Sequence, residues 1–141
     1  MSLAIKEAIK ARNKNEVPVG AIIVHGCGNV IAKAYNLVET KNDPTCHAEK
    51  LVIEKALKIT DQKFLNDCDM WVTLEPCVMC AGIIKQTRIR RLYYGAEDKK
   101  GGAIDNGVRV FSDNKTPIEI YSGFSATQSE RLLKDFFHEI R

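Results

Sequence analysis

No stretch of this sequence is long and apolar enough to cross a bilayer as a helix, which takes about 20 such residues, so no membrane partner is expected. The opening residues, Met1 to Glu7, break into charge at Lys6 and lack the apolar centre of a secretory leader. Charge of one sign is not in excess either. The 21 basic and 18 acidic residues leave a net charge of +3, which permits a nucleic-acid partner without arguing for one. Internal repeats and a proline- or serine-rich linker are both missing, so residues 1–141 are expected to form one domain. An even set of cysteines is missing as well. Five cysteines with one Cys-x-x-Cys pair fit a reducing cytoplasm better than a disulfide framework. With 45% hydrophobic and 28% charged residues, the chain has an ordinary globular composition and enough length for a core.

What the sequence does have is a concentrated set of metal-ligand residue types. Cys77 and Cys80 stand three apart after Pro76, a spacing that puts both sulfurs on one helix face. Proline suits the first turn of a helix, and the positive end of the helix dipole there favours thiolate over thiol. Asp43-Pro44-Thr45 marks a second helix start, which places His47 and Glu49 in its first turn. Thiolates with an imidazole select zinc over magnesium or calcium. His47, Cys77 and Cys80 therefore make three plausible ligands, and three leave the fourth tetrahedral position for water, the mark of a catalytic zinc. The spare cysteines close the site poorly. Cys46 points about 100° away from His47 on a helix, Cys68 lies about 20 Å off across an extended run, and Cys27 falls in a glycine-flanked turn. Glu49 is the candidate proton carrier beside that water. One tension stands: residues two apart do not share a helix face, so His47 and Glu49 converge only through helix-start geometry and side-chain length.

Taken in order, Leu3, Ala4, Ile5, Ala8 and Ile9 have helical spacing, and that helix is expected to end near Asn13 to Asn15. Ala21 to Val24 reads as a buried strand and Val30 to Tyr35 as its hairpin return, leaving His25 as a strand-end surface residue. A helix is expected from about Thr45 to Ile59, a strand from Asp69 to Leu74, and a second metal-bearing helix from Cys77 to about Gln86. Arg90 to Gly95 and Ile118 to Tyr121 make two further strands. The glycine- and charge-rich Ala96 to Pro117 between them suggests function or mobility. A last helix carries Leu132, Leu133, Phe136, Phe137 and Ile140 on one face, and these read as core. Alternating strands and helices indicate a layered α/β domain.

His47-Ala48-Glu49 followed by Pro76-Cys77-x-x-Cys80 is the H-x-E, P-C-x-x-C signature of zinc nucleobase deaminases. With Glu16-Val17-Pro18-Val19-Gly20-Ala21, Val72 to Gly82 and Asp135-Phe136-Phe137, the chain resembles the bacterial tRNA-specific adenosine deaminases of the cytidine deaminase-like superfamily over nearly its whole length. The resemblance implies a three-layer α/β/α fold with a five-stranded mixed sheet, one Zn2+ per subunit and a homodimer. It implies conversion of the wobble adenosine of a tRNA anticodon to inosine, with zinc-activated water attacking C6 and Glu49 shuttling protons as ammonia leaves. Asn36 matches the asparagine that contacts the target base, and the Ala48 backbone N–H would help to hold it. The RNA-contacting loop corresponds to Ala96 through Asp98, Lys99 and Lys100, and Arg88 is a candidate phosphate contact. A deaminase of a free base or nucleoside, of cytosine or guanine type, is the alternative, because the metal motif is common to both.

Overall fold

The computed structural model describes residues 1–141. Five strands form one mixed sheet in the order β2-β1-β3-β4-β5: β1 is Gly20–His25, β2 Val30–Tyr35, β3 Cys68–Leu74, β4 Arg91–Ala96 and β5 Glu119–Tyr121. β1 runs antiparallel to both its neighbours, and β3, β4 and β5 run parallel. Helix α1 (Ser2–Arg12) and α5 (Ala126–Glu139) cover one face, joined by an Arg12–Glu139 ion pair. Helix α3 (Ala48–Thr60) and α4 (Val78–Gln86) belong to the opposite layer. The expected three-layer α/β/α architecture is the one found.

The two covered faces explain why β1 reads as an unbroken apolar run rather than an alternating one. Ala21 and Ile23, with Met70, Val72, Leu92 and Tyr94 of the paired strands, join Val52, Ile53 and Ile84 in the main core. Each fully buried aliphatic side chain there contributes about 1.5–3 kcal/mol. On the other face Ile22, Trp71, Tyr93 and Tyr121 follow the register across four strands, and Trp71 stacks on Tyr93 with centroids 3.9 Å apart. A Cβ at Gly20 would overlap the Ala4 carbonyl oxygen, so only glycine lets α1 lie this close to the sheet.

Topology gathers one edge. β3 and β4 are parallel and joined through α4, so the C-terminal end of β3 is where a ligand pocket is expected in such a sheet. Because β1 is antiparallel to β3, its start lies at that same edge, where Gly20 N–H donates to Thr73 Oγ1 at 3.2 Å. The end of β2 lies there as well, since Gly20 pairs with Tyr35.

Several expectations are corrected. Both metal-bearing helices start later than their sequence markers suggest, at Ala48 and Val78, leaving His47 and Cys77 as extended N-cap residues with ψ of 152° and 174°. Cys68 is the first residue of β3 rather than a residue before it. A four-residue helix, α2 (Val38–Lys41), was not anticipated. The stretch from 97 to 117 is packed rather than loose: Ala103, Ile104 and Phe111 are buried in the main core. In α5 only Phe136 of the expected apolar face is fully buried, while Phe137 is 42% and Ile140 61% exposed.

Candidate active site

The N-cap geometry resolves the tension between His47 and Glu49. With His47 extended, its ring leaves the chain before the helix begins, and Glu49 at the second helical position turns in towards it. Cys77 holds the same place at the start of α4, with Cys80 one turn along. The two helix N-termini therefore meet, and both dipoles stabilise negative charge between them.

His47 Nδ1 is 3.6 Å from Cys77 Sγ and 3.7 Å from Cys80 Sγ, and the three ligand atoms lie within 4.8 Å of one another. Around tetrahedral zinc, a nitrogen at about 2.0 Å and a sulfur at about 2.3 Å stand about 3.5 Å apart. The donor set thus fits a zinc ion in both chemistry and spacing. The protonation pattern agrees. Cys77 is pulled down to about 4, first by the hydrogen bond from Cys80, while Cys80 is held up, first by Cys77 and then by burial. His47 is raised, chiefly by Cys77. One thiolate forms readily; the second needs a cation in place of the shared proton.

Glu49 is 4% exposed, and burial lifts its carboxyl to about 7 against its own backbone N–H, His47 and the Cys80 thiol. It lies on a pocket of about 650 Å³ with His47, Ala48 and Cys77, under apolar walls that include Val17, Leu74 and Phe137. Asn36 is buried on the same pocket and directs Nδ2 towards Glu16 Oε2 at 3.4 Å. Ala48 brings one of the backbone N–H groups that a helix start leaves without an intrahelical partner.

The other expected contacts divide. Asp98 lies on the pocket and forms its own turn, accepting N–H groups of Lys100 at 3.1 Å and Gly101 at 2.9 Å, with Lys99 and Lys100 exposed beside it. Arg88 does not join them. It follows the far end of α4 from the cysteines and lies over the Phe64 ring, 3.9 Å from its centroid.

Sequence reasoning gave no role to two buried glutamates. Glu75, 2% exposed, accepts the N–H groups of Asp98, Ile104, Asp105 and Asn106 at 2.9–3.1 Å and Asn106 Nδ2 at 2.7 Å. Burial alone would raise its carboxyl, but these donors outweigh burial and hold it below the usual range. Glu16 is fully buried near Asn36. The available signal was an isolated acid against an apolar run, Val17 to Val24 after Glu16 and Trp71 to Leu74 before Glu75.

Residues 1–96 match the family described as the cytidine and deoxycytidylate deaminase zinc-binding region. The tRNA-specific adenosine deaminase of Agrobacterium fabrum is 47% identical over all of this chain and 93% of its own length. That of Rickettsia typhi is 44% identical over all of this chain and 97% of its own length. A solved structure from work on A-to-I editing by tRNA:A34 deaminases at the wobble position is 47% identical, with a TM-score of 0.90 over 94% of this chain and 97% of that one. A likeness that spans the whole chain, and a His/Cys/Cys cluster whose spacing fits zinc, lead to one conclusion: the chain belongs to the tRNA-specific adenosine deaminases, within the cytidine and deoxycytidylate deaminase zinc-binding family.

Proposed function

We infer that this protein hydrolyses the wobble adenosine of a tRNA anticodon to inosine, with water consumed and ammonia released. The observation that carries this reading is Glu49, buried on the pocket beside three converging zinc ligands. His47, Cys77 and Cys80 would hold one Zn2+ per subunit, which when bound makes water acidic enough to act as a nucleophile near neutral pH. Glu49 takes a proton from the attacking water at its carboxylate and delivers it to N1 of the adenine, then takes the remaining proton from the new C6 hydroxyl and gives it to the amine that leaves from C6 as ammonia. Asn36 and the Ala48 N–H hold the base edge. The apolar walls receive the ring and keep bulk water out, so the base must leave its stack to enter.

Lys99 and Lys100, exposed next to Asp98, meet phosphates of the anticodon loop in this reading. Residues 1–141 act as one catalytic domain, working as a homodimer in the cytoplasm. No helix is long and apolar enough to cross a membrane. Light scattering on the purified protein checks the dimer, and a monomer at working concentration would sink that part of the reading.

The test of function has two arms. The zinc-loaded protein is given an anticodon stem-loop with adenosine at the wobble position, and separately free adenine, adenosine, cytosine, cytidine and guanine. Inosine in the stem-loop alone is expected. Turnover of a free base with an untouched stem-loop would overturn the substrate while keeping Glu49 and the metal site.

A further inference from the structure

The catalytic groups leave one buried charge near the pocket without a role. Glu16 lies in the connection between α1 and β1 and is fully inaccessible to solvent. Its backbone N–H is tied to the Ala11 carbonyl at 3.0 Å, so the residue is fixed at its root. Its carboxylate reaches the segment after β2. Oε1 accepts the Thr40 N–H at 2.6 Å, and Oε2 accepts the Glu39 N–H at 3.1 Å and faces Asn36 Nδ2 at 3.4 Å.

Two of those donors belong to the first turn of α2, whose N-cap residue Leu37 has no side chain able to accept them. Glu16 therefore caps α2 from a distant part of the chain. The third partner is the residue proposed to hold the base. The Asn36 backbone is already anchored, its N–H to the Val19 carbonyl at 3.1 Å, so only the orientation of its amide is left to be set. A carboxylate accepts and cannot donate. Facing one, Asn36 turns its NH2 group inwards, which leaves Oδ1 and the second N–H of that group for the pocket it lines. An amide presented this way offers one acceptor and one donor, the pair that matches the N6–H and N7 of an adenine edge.

We propose that Glu16 is a positioning residue: it fixes the amide of Asn36 in the one sense that reads the target base, and anchors the segment from 36 to 40 that forms this wall of the pocket. The proposal rests on Asn36 as the base-holding residue. Glutamine at position 16 keeps the size of the side chain but adds a donor, which can meet Asn36 Oδ1 and turn the amide over.

The test is a double-mutant cycle of Glu16→Gln and Asn36→Ala, run with the zinc-loaded protein on whichever substrate the unaltered protein turns over. Zinc content and melting temperature are recorded for each variant. Turnover by the unaltered protein judges the substrate reading by itself, so the cycle judges Glu16 alone. In the native background Glu16→Gln is expected to lower kcat/KM about 10- to 100-fold, the scale of a small misplacement of a reacting group, with zinc retained. In the Asn36→Ala background the same change is expected to cost less than about 3-fold, because its effect passes through the missing amide. An equal fold-loss in both backgrounds would overturn the proposal and leave Glu16 as a cap for α2 only. So would full activity of the Glu16→Gln variant.

Discussion

Glu49 and Glu75 are almost equally hidden, at 4% and 2% exposure, and their carboxyl groups are driven in opposite directions. Around Glu49 burial dominates, and the group rises to about 7, where it can exchange protons near neutral pH. Around Glu75 four backbone N–H groups and one side-chain amide converge, and the group stays charged. Burial by itself therefore says little about what a carboxylate does. The number of donors aimed at it separates a carboxyl able to exchange protons near neutral pH from a clamp.

The largest expected effect comes from removing what both regions serve. Cys80→Ser should lose zinc and cut inosine formation about 10⁴-fold or more, since no activated water remains; metal analysis beside the stem-loop assay checks both. Glu49→Gln comes next, with a loss of about 10²- to 10⁴-fold. It should keep its zinc and melt no lower than the parent, because it removes a charge that burial disfavours. A marked fall in melting temperature would make Glu49 a structural residue like Glu75 and erase the contrast.

Glu75→Gln sharpens the comparison from the other side. A glutamine keeps one acceptor oxygen and turns an NH2 towards N–H groups, so at least one buried donor is stranded at about 1–3 kcal/mol each. Denaturant unfolding should register about 2–3 kcal/mol on that basis, and hydrogen exchange should speed up first at residues 98 to 106. Activity should fall only as far as that segment loosens. The smallest effects belong to the rim. Lys99→Ala and Lys100→Ala should each raise KM for the stem-loop a few-fold, about 2- to 5-fold, and flatten its salt dependence. Arg88→Ala, beyond the far end of α4, should leave KM unchanged.

The cluster of His47, Cys77 and Cys80 was legible because zinc chemistry restricts its donors to a few residue types at fixed spacing. Zinc needs imidazole and thiolate, and proton transfer needs an acid next to it, so His47, Glu49, Cys77 and Cys80 are visible as letters. The strands were legible from their apolar runs to within one or two residues. What the sequence hid was where its donors would point. A glutamate at 16 or 75 reads the same whether it meets water or a ring of N–H groups that come from residues 20 or 30 positions away. Of the two readings of the stretch from 96 to 117, function or mobility, the packing argues against mobility, while Asp98 lies on the pocket. Its glycines and charges hid a few apolar anchors, Ala103, Ile104 and Phe111, which hold it down. The last helix erred the other way, its apolar face only partly used for packing, with Phe137 and Ile140 on the pocket.

His47 and Cys77 each stand at the doorway of a different helix, and that placement links the metal to folding as a whole. An ion gripped there would rivet α3 to α4 at their N-termini, adding to the limited direct packing between the two helices. Zinc then acts as a thermodynamic ligand of the folded chain: above the dissociation constant, each tenfold rise in free zinc should add about 1.4 kcal/mol to global stability. Unfolding midpoints measured across a series of zinc buffers would show the protein's resistance to denaturation being set by the metal supply around it.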